Sequence, residues 1–302
     1  MGNLVIENIL KKSELAASGE DHDYIRPLLL ILGGANRGVC AAAACYALHL
    51  LRLESVFDIV VGVSGGAWVG AYFLAGKEQI RRGISIYYQE FASENYISFW
   101  RFPRVLDFSL AERAALFGAK KLDIQAVLAS KSDFFVGVTD KEGKGKFINA
   151  KEFPLLKSLF ASSATPLGKC PVSINGNDYF DGGIGFCFPV REIIEHFQPT
   201  DILVLPNVPA NFSKNISIFE RLMMPLFRLP KRVRKRALAR YGDFCEGVEF
   251  AEKLANIDIV WPLDLGVGPF TTDTRKLWVA AESSVEQVLQ RFGRPDLKFK
   301  LY

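Results

Sequence analysis

Residues 57–74 read FDIVVGVSGGAWVGAYFL, and this stretch decides the fold. Its β-branched start, residues 57–61, predicts a buried strand, and its small, apolar end, residues 67–74, predicts a helix packed close to a sheet. The turn between them, GVSGG at residues 62–66, fits the G-x-S-x-G pattern that exposes a serine nucleophile between a strand and a helix. Glycines at the ends of this turn relieve the crowding that so sharp a turn creates. The alternative is a tight connection with an incidental serine at position 64.

Upstream, the same order of elements occurs once more. Residues 27–32 (PLLLIL) predict a buried strand, GGANRG follows at residues 33–38, and an Ala-rich helix is predicted over residues 38–51. Two strand-turn-helix units in succession indicate a parallel sheet with right-handed crossovers, so both turns lie at the same edge of the sheet. The order of elements therefore predicts that the glycine turn lies beside Ser64.

The glycine turn at residues 33–38 presents backbone N–H groups at the start of a helix, where an anion is stabilised. It does not fit the phosphate-binding pattern G-x-x-x-x-G-K-[ST], because valine and cysteine follow its last glycine. A dinucleotide fingerprint fails as well, since Ala35 stands where the second glycine is required. An oxyanion hole next to Ser64 is the remaining prediction.

A serine nucleophile needs a base, and the chain offers a carboxylate or a histidine. Asp181 begins a DGG turn after a short predicted strand, and it could accept the Ser64 proton directly if exclusion of water raises its pKa. The alternative is an Asx turn without chemistry. A Ser64–Asp181–His196 triad keeps the chain order of α/β-hydrolases, but His196 lies only 15 residues after Asp181, in a predicted helix. The other histidines, His22 in the polar leader and His49 in the Ala-rich helix, fit catalysis less well.

Four motifs, in their order along the chain, resemble those of the patatin-like phospholipases. They are GGANRG at residues 33–38, GVSGG at 62–66, ASSATP at 161–166 and DGG at 181–183, and the likeness covers about residues 27–207. The resemblance implies a three-layer α/β fold with a central, mostly parallel sheet flanked by helices. It also implies hydrolysis of glycerolipid acyl esters by a Ser/Asp dyad, without calcium or a catalytic histidine.

The family pattern assigns a role to each matching residue. It implies Ser64 as the nucleophile, Asp181 as the base, and Gly33, Gly34 and Ala35 as the oxyanion hole. Ala35 departs from the pattern, which has a third glycine there; an alanine keeps the N–H donor but disfavours a positive φ. Arg37 matches the family's arginine, and it either holds the loop or attracts a phosphate headgroup. The other motif residues are Gly38, Gly62, Gly65, Gly66, Gly182 and Gly183.

The prediction is thus a lipid acyl hydrolase of the phospholipase A type, a serine hydrolase with no metal and no cofactor. Two alternatives stay open. One is a catalytically weakened lipid-binding or scaffold protein with this fold, of which Ala35 would be a sign, and the other is a short-chain carboxylesterase or thioesterase. A predicted helical insertion over residues 77–128 carries aromatic residues that either line an acyl channel or pack in the core. These are Phe99, Trp100, Phe102, Phe108 and Phe117.

A basic segment follows the predicted catalytic domain of residues 27–207, within a mainly helical extension or lid over residues 208–302. Residues 228–240 contain seven Lys or Arg and no acid, and apolar residues recur there every four positions. On a helix this pattern forms an apolar stripe (Leu229, Val233, Ala237) between cations, preceded by Leu222, Met223, Met224, Leu226 and Phe227. The segment either contacts an anionic membrane or is a solvated basic helix. The candidate membrane-binding residues are Arg228, Lys231, Arg232, Lys235 and Arg236.

Composition narrows the class of protein. The 302 residues are 49% hydrophobic and 23% charged, with a mean hydropathy of +0.14, which excludes a mainly disordered chain. A net charge of +4 gives no reason to expect nucleic acid, and five cysteines without a C-x-x-C pair indicate neither a disulfide framework nor a zinc site.

The first 26 residues hold no apolar run of signal-peptide length. A cytoplasmic protein, peripheral to the membrane at most, is therefore predicted, and export without a signal peptide is left open. The uncharged residues 59–76 are predicted to be a buried strand and helix rather than a membrane span.

Overall fold

The computed structural model describes residues 3–212 and 224–301. Its strands are β1 (Pro27–Ile31), β2 (Ile59–Val63), β3 (Asp133–Thr139), β4 (Gly145–Asn149), β5 (Val172–Ile174), β6 (Asn177–Asp181), β7 (Asp201–Leu205) and β8 (Ile257–Ile259). Its helices are α1 (Leu4–Ser18), α2 (Gly38–Leu50), α3 (Gly65–Leu74), α4 (Lys77–Gln89), α5 (Phe108–Leu116), α6 (Ile124–Ala129), α7 (Leu155–Ser162), α8 (Gly182–Gly185), α9 (Val190–Phe197), α10 (Lys231–Ala251) and α11 (Thr274–Arg291). Single turns of 3₁₀ helix cover Ala35–Arg37, Phe99–Arg101 and Met224–Leu226.

Within the described residues, the strands form one sheet in the order β5-β6-β3-β2-β1-β7-β8, with β4 beside β3. The central strands are parallel: β1 pairs with β2 and β7, and β2 pairs with β3. β4 and β6 run antiparallel to β3. β1, β2 and β7 are buried along their whole length, as expected for parallel strands that are covered on both faces. The predicted α/β fold with a mostly parallel sheet is confirmed.

Side chains of β1 alternate between two hydrophobic cores. Leu29 and Ile31 belong to the core that β1 shares with α2, α3, α4 and α11, whereas Leu28 and Leu30 belong to the core that includes Val190 of α9. α2 packs against both α4 and α11, and its run of alanines allows close approach. The molecule therefore has helices on both faces of the sheet, which is the expected three-layer arrangement.

The register of the sheet brings the two glycine turns together. Ile31 at the end of β1 lies opposite Gly62 in β2, so the chain leaves both strands at the same edge of the sheet. From there the first turn enters α2 and the second enters α3. The pairing of β1 with β2 is thus enough to place the first glycine turn next to Ser64, as predicted.

Elements outside residues 27–207 differ from expectation. The polar leader forms α1, which begins after the N-cap Asn3 and ends at Gly19 with a positive φ, and which buries Val5 and Ile9. β8 pairs parallel with β7, so the sheet continues beyond the predicted catalytic domain of residues 27–207 into the C-terminal region. The mainly helical character of the C-terminal region is confirmed, whereas its separation from the catalytic domain stays a prediction.

The uncharged residues 59–76 form β2 and α3, most of whose residues are buried in the protein. Among the helices described, none combines the length and the apolar character that crossing a bilayer requires.

Candidate active site

Ser64 lies between β2 and α3 in a strained backbone conformation, with φ at +56° and ψ at −127°. Its Oγ donates a hydrogen bond to Oδ2 of Asp181 at 2.9 Å, across 117 positions of sequence. A non-glycine residue with positive φ persists only where the surroundings hold it there. The two candidates that the sequence singled out are therefore in direct contact.

This turn needs glycine at three positions, Gly33, Gly62 and Gly66, because any other residue would place a Cβ atom where there is no space for it. At Gly33 it would lie 2.5 Å from Cβ of Ser64, at Gly62 it would lie 2.7 Å from the backbone N of Ala67, and at Gly66 it would overlap the carbonyl of Ile31. Gly65 differs, since a Cβ there would meet nothing within 4 Å. The turn is consequently packed against the first glycine loop and the start of its own helix.

Ser162 fixes the backbone of Ser64, a role that its place in the ASSATP motif did not predict. Its Oγ accepts a hydrogen bond from the Ser64 N–H at 2.9 Å and donates one to the carbonyl of Gly137 in β3 at 2.6 Å. Ser162 itself is fully buried at the end of α7. The sequence signal for this role was weak: a serine shortly before a turn that ends in proline. The two hydrogen-bond partners of Ser162 lie 98 and 25 residues away in the chain, so the sequence did not reveal them.

Asp181 is held at the end of β6 by three hydrogen bonds besides the one from Ser64. Its N–H donates to the carbonyl of Ala164 at 3.0 Å, its carbonyl accepts from Oγ1 of Thr139 at 2.6 Å, and its Oδ1 accepts from the N–H of Gly183 at 2.8 Å. The bond from Gly183 is the Asx-type contact that had been the alternative interpretation, and it occurs together with the contact to Ser64. A Cβ at Gly182 would overlap the carbonyl of Gly137, so the DGG turn also packs on β3.

Asp181 is half-buried as a residue and lines the cavity. This burial raises the pKa of Asp181 to about 6. The hydrogen bonds from Gly183 and Ser64 and the charge of Arg240 act in the opposite direction and lower the pKa, with a smaller effect. Asp181 therefore titrates near neutrality, in the range useful for a general base.

The first glycine loop lies next to Ser64. The N–H groups of Gly33 and Gly34 donate no hydrogen bond to any part of the chain that the structure describes, and Ala35 adopts a φ of +50°. Asn207 braces the loop: a Cβ at Gly34 would lie 2.8 Å from its Cβ, and its amide donates to the carbonyl of Leu32. The loop has the free donors that an oxyanion hole requires.

Arg37 and Gly38 close the loop. Arg37 is half-buried, burial lowers the pKa of its guanidinium, and its Cζ lies 5.4 Å from the ring centroid of Phe212. Its buried Nε has no hydrogen-bond partner among the described residues. A Cβ at Gly38 would lie 2.5 Å from Oη of Tyr87, so a larger residue would displace that ring.

Ser64 and Asp181 line one cavity of about 780 Å³, within the usual range for a small-molecule site. The rest of its lining is mostly apolar, and it includes three of the five aromatic residues of the predicted insertion, Phe99, Phe102 and Phe108. Trp100 and Phe117 are not among the lining residues.

The histidines lie elsewhere, and none of them lines this cavity. His49 is buried in α2, where its Nε2 lies 2.9 Å from the carbonyl of Phe73, and burial lowers its pKa. His196 contacts the rings of Phe147 and Phe197 in the core on the other side of the sheet. The structure therefore does not bring a histidine to Ser64 and Asp181, and the Ser64–Asp181–His196 triad is wrong.

The basic segment forms α10 and the chain before it. Leu229, Val233 and Ala237 are buried and pack in one cluster with Phe180 and Ile184, so the predicted apolar stripe faces the protein and not a membrane. The candidates Arg228, Lys231, Arg232 and Lys235 are exposed, whereas Arg236 is half-buried and forms an ion pair with Asp243 at 2.9 Å. Leu222 and Met223, counted with this segment, lie outside the described residues.

One comparison with known proteins agrees with the motifs. The model of the patatin-like phospholipase family matches residues 29–194, a range that includes all four motifs and more than half of the chain. Among solved structures, VipD from Legionella pneumophila is similar with a TM-score of 0.43 and 13% sequence identity, over 89% of this chain and 67% of that chain. No curated protein matches the chain. On the match over residues 29–194, the chain belongs to the patatin-like phospholipase family.

Proposed function

We propose that this protein is a phospholipase A-type lipid acyl hydrolase in which Ser64 is the nucleophile and Asp181 the base. Proteins of its family are usually lipid hydrolases. The observation that carries the proposal is the 2.9 Å hydrogen bond from Ser64 Oγ to Asp181 Oδ2 inside a mostly apolar cavity. A nucleophile in contact with its base is the first requirement of covalent acyl transfer.

In the first half of the reaction, Asp181 takes the proton of Ser64 as Oγ attacks the ester carbonyl carbon. Negative charge then forms on the carbonyl oxygen, where the N–H groups of Gly33, Gly34 and Ala35 would donate hydrogen bonds. The carbon–oxygen bond to the glycerol breaks, and the proton on Asp181 passes to the departing alkoxide. The products of this half are an acyl-Ser64 ester and a lysophospholipid or other alcohol.

In the second half, Asp181 takes a proton from a water molecule as this water attacks the acyl-Ser64 carbonyl. The same donors stabilise the second oxyanion, and its collapse releases a fatty acid while Oγ of Ser64 regains the proton. One carboxylate therefore acts as base and acid in both halves. A pKa of about 6 suits both roles, because Asp181 is mostly ionised at pH 7 but still protonates readily.

The exposed cations at Arg228, Lys231, Arg232 and Lys235 support peripheral contact with an anionic membrane as part of this proposal. Each cation near an anionic surface contributes up to about 1 kcal/mol. Arg236 contributes less, because its guanidinium is already paired with Asp243.

The test is mass spectrometry of the products that the parent protein and Ser64→Ala release from mixed phospholipid liposomes. We expect fatty acid and lysophospholipid from the parent and neither from Ser64→Ala. Ser173→Ala is the matched control, because Ser173 is an exposed serine of β5 and should retain full activity.

Three outcomes would contradict the proposal. Equal release by Ser64→Ala would remove Ser64 from the mechanism. A parent that hydrolyses short esters but no phospholipid would instead be a short-chain carboxylesterase or thioesterase, and one that hydrolyses neither would be a lipid-binding protein weakened at Ala35.

A further inference from the structure

An exposed aromatic segment follows α4 in the helical insertion. Residues 99–104 read FWRFPR, and every one of them is exposed; Trp100 is 99% exposed and Phe99 is 64% exposed. Large aromatic side chains rarely remain in water without a function, since burying them is strongly favourable. A second segment, residues 224–228 (MPLFR), meets the first where the rings of Phe102 and Phe227 lie 5.8 Å apart. We call these two segments together the lip.

The lip forms the mouth of the cavity that contains Ser64 and Asp181. Phe99, Phe102 and Phe227 line this cavity, and the first two are also exposed at the surface. Leu226 beside them is 53% exposed. The apolar lining therefore extends from the interior of the cavity to side chains that are exposed at the surface of the protein.

The charges of the lip are all positive. Its two segments contain Arg101, Arg104 and Arg228 and no acidic residue, and the exposed Lys231 and Arg232 follow directly. Arg101 is held by backbone carbonyls and lies 3.4 Å from Asp107, whereas Arg104 and Arg228 are exposed without any ion pair to a described residue. An exposed apolar surface with a rim of cations is complementary to an anionic lipid surface.

We propose that the lip docks the cavity mouth onto an anionic bilayer, with Trp100 and Phe99 among the lipid headgroups and acyl chains and Arg104 and Arg228 at the phosphates. This inference rests on the proposed lipid hydrolysis and adds the surface through which the substrate enters. Tryptophan is the side chain most typical of the membrane–water interface. Exposing a methylene group to water is unfavourable. With the mouth on the bilayer, an acyl chain can pass into the cavity without exposing its methylene groups to water.

A bilayer explains the position of the lip better than a protein partner does. A protein bound over Phe99, Phe102 and Phe227 would close the mouth through which a lipid reaches Ser64. A membrane leaves the mouth open, because it is itself the source of the substrate.

Vesicle binding by Trp100→Ser in a Ser64→Ala background tests the inference, since no lipid is consumed there. Trp100 does not line the cavity, so its replacement leaves the cavity unchanged. Sedimentation with vesicles of phosphatidylcholine and phosphatidylglycerol should show at least about tenfold weaker binding, as expected for the loss of one buried aromatic side chain. The matched control is Phe117→Ser, which removes an aromatic residue of 67% exposure that is neither in the lip nor in the cavity lining, and it should bind like the parent.

Activity gives an independent measurement in the Ser64 protein. Trp100→Ser should hydrolyse vesicle phospholipid about tenfold more slowly, while its hydrolysis of a short, water-soluble ester stays within about twofold of the parent. Phe117→Ser should leave both rates unchanged. The tryptophan fluorescence of the parent should shift to the blue on vesicles, and Trp100→Phe should abolish this shift.

Several results would overturn the docking surface. They are equal sedimentation of Trp100→Ser and the parent, no binding of the parent to anionic vesicles, and a Trp100→Ser variant that changes oligomeric state instead of membrane binding. If the parent hydrolyses detergent-dispersed lipid but does not bind vesicles, this inference falls and the proposed function stands. If Trp100-dependent binding occurs but no ester is hydrolysed, docking stands and the proposed function falls.

Discussion

The two ends of the cavity are built in opposite ways. At the inner end, Ser64 and Asp181 are fixed by hydrogen bonds to Ser162 and Gly183, and Gly33, Gly62 and Gly66 pack so closely that a Cβ would not fit at any of them. At the outer end, the lip leaves Trp100 almost fully in solvent. The comparison teaches that substitutions at the inner end should affect every ester, whereas those in the lip should affect only lipid presented in a bilayer.

The largest expected effect is that of Asp181→Asn on rate. Without a base, kcat/KM should fall about 10³-fold for short and long esters alike, which corresponds to about 4 kcal/mol of barrier. The matched control is Asp178→Asn on the same strand, whose exposed side chain bonds to Ser173 and should leave the rate unchanged. A loss of activity that is confined to vesicle substrates would contradict the comparison, because Asp181 would then affect the access of bilayer lipid and not the reaction itself.

Asp181→Asn should still fold, so its loss of activity can be attributed to the missing base and not to unfolding. The raised pKa of Asp181 means that the folded state disfavours the ionised carboxyl. The folded state therefore binds more protons than the unfolded state between the ordinary carboxyl pKa and about 6, and stability falls as pH rises through this window. At pH 8, Asp181→Asn should consequently unfold at the same temperature as the parent or at a higher one.

Gly66→Ala should have the next largest effect, on stability. Its Cβ would overlap the carbonyl of Ile31, and relieving the overlap requires a shift of β1 or α3, at about 3 kcal/mol. Gly65→Ala is the control one residue away, where a Cβ has open space, and it should change the free energy of unfolding by less than about 1 kcal/mol. Urea denaturation of both variants measures the difference, and equal stabilities would show that the inner end is not tightly packed.

Ser162→Ala should have an intermediate effect. It leaves the Ser64 N–H and the Gly137 carbonyl without their partner, which destabilises the protein by about 1–3 kcal/mol, and kcat should fall for all esters as Ser64 loses its position. Ser158→Ala removes another buried hydroxyl of α7, one that bonds to the carbonyl of Pro154 at the N-cap of the helix, and should retain kcat. Unchanged kcat in Ser162→Ala would mean that the turn at Ser64 holds its shape without this bond.

Ala35→Gly should have the smallest effect, and a favourable one. A non-glycine residue at a φ of +50° is strained by about 1–2 kcal/mol, and glycine's greater loss of backbone entropy offsets about 0.5–1 kcal/mol of the relief. The free energy of unfolding should therefore rise by about 0–1.5 kcal/mol. Ala44→Gly in the middle of α2 should instead lower it by about 1 kcal/mol. Destabilisation by both variants would show that Ala35 fits its loop without strain.

The sequence predicted the inner end well because its signals are local. A strand, a glycine turn and a helix follow one another within a few residues at Gly33 and at Ser64, and parallel pairing of β1 and β2 then brings the turns together. Ser162 and Asn207 were not predicted as supports, because their hydrogen-bond partners are distant in sequence and a single serine or asparagine carries no periodic signal. The contact of Asp181 with Ser64 depended on the family resemblance, since the DGG turn alone favours an Asx turn.

The outer end was the harder part to predict. The basic segment was predicted either to contact an anionic membrane or to be a solvated helix, but Val233 and Ala237 of its apolar stripe are buried against the protein. Amphipathic periodicity indicates a buried face without saying what covers it. Conversely, the exposure of Phe99 and Trp100 could not be deduced, since aromatic residues in an insertion usually pack in a core. β8 was missed for a related reason, because three residues of strand carry too little pattern.

The most direct test of the Ser64–Asp181 dyad is the pH dependence of covalent labelling by a fluorophosphonate, which reacts only with an activated serine. We predict a single label on Ser64, with a rate that increases as the pH rises through about 6, because Asp181 must lose its proton to act as the base. Ser64→Ala should take no label, and Asp181→Asn should react very slowly at every pH. Labelling of another residue, or labelling of Asp181→Asn at the rate of the parent, would contradict the account.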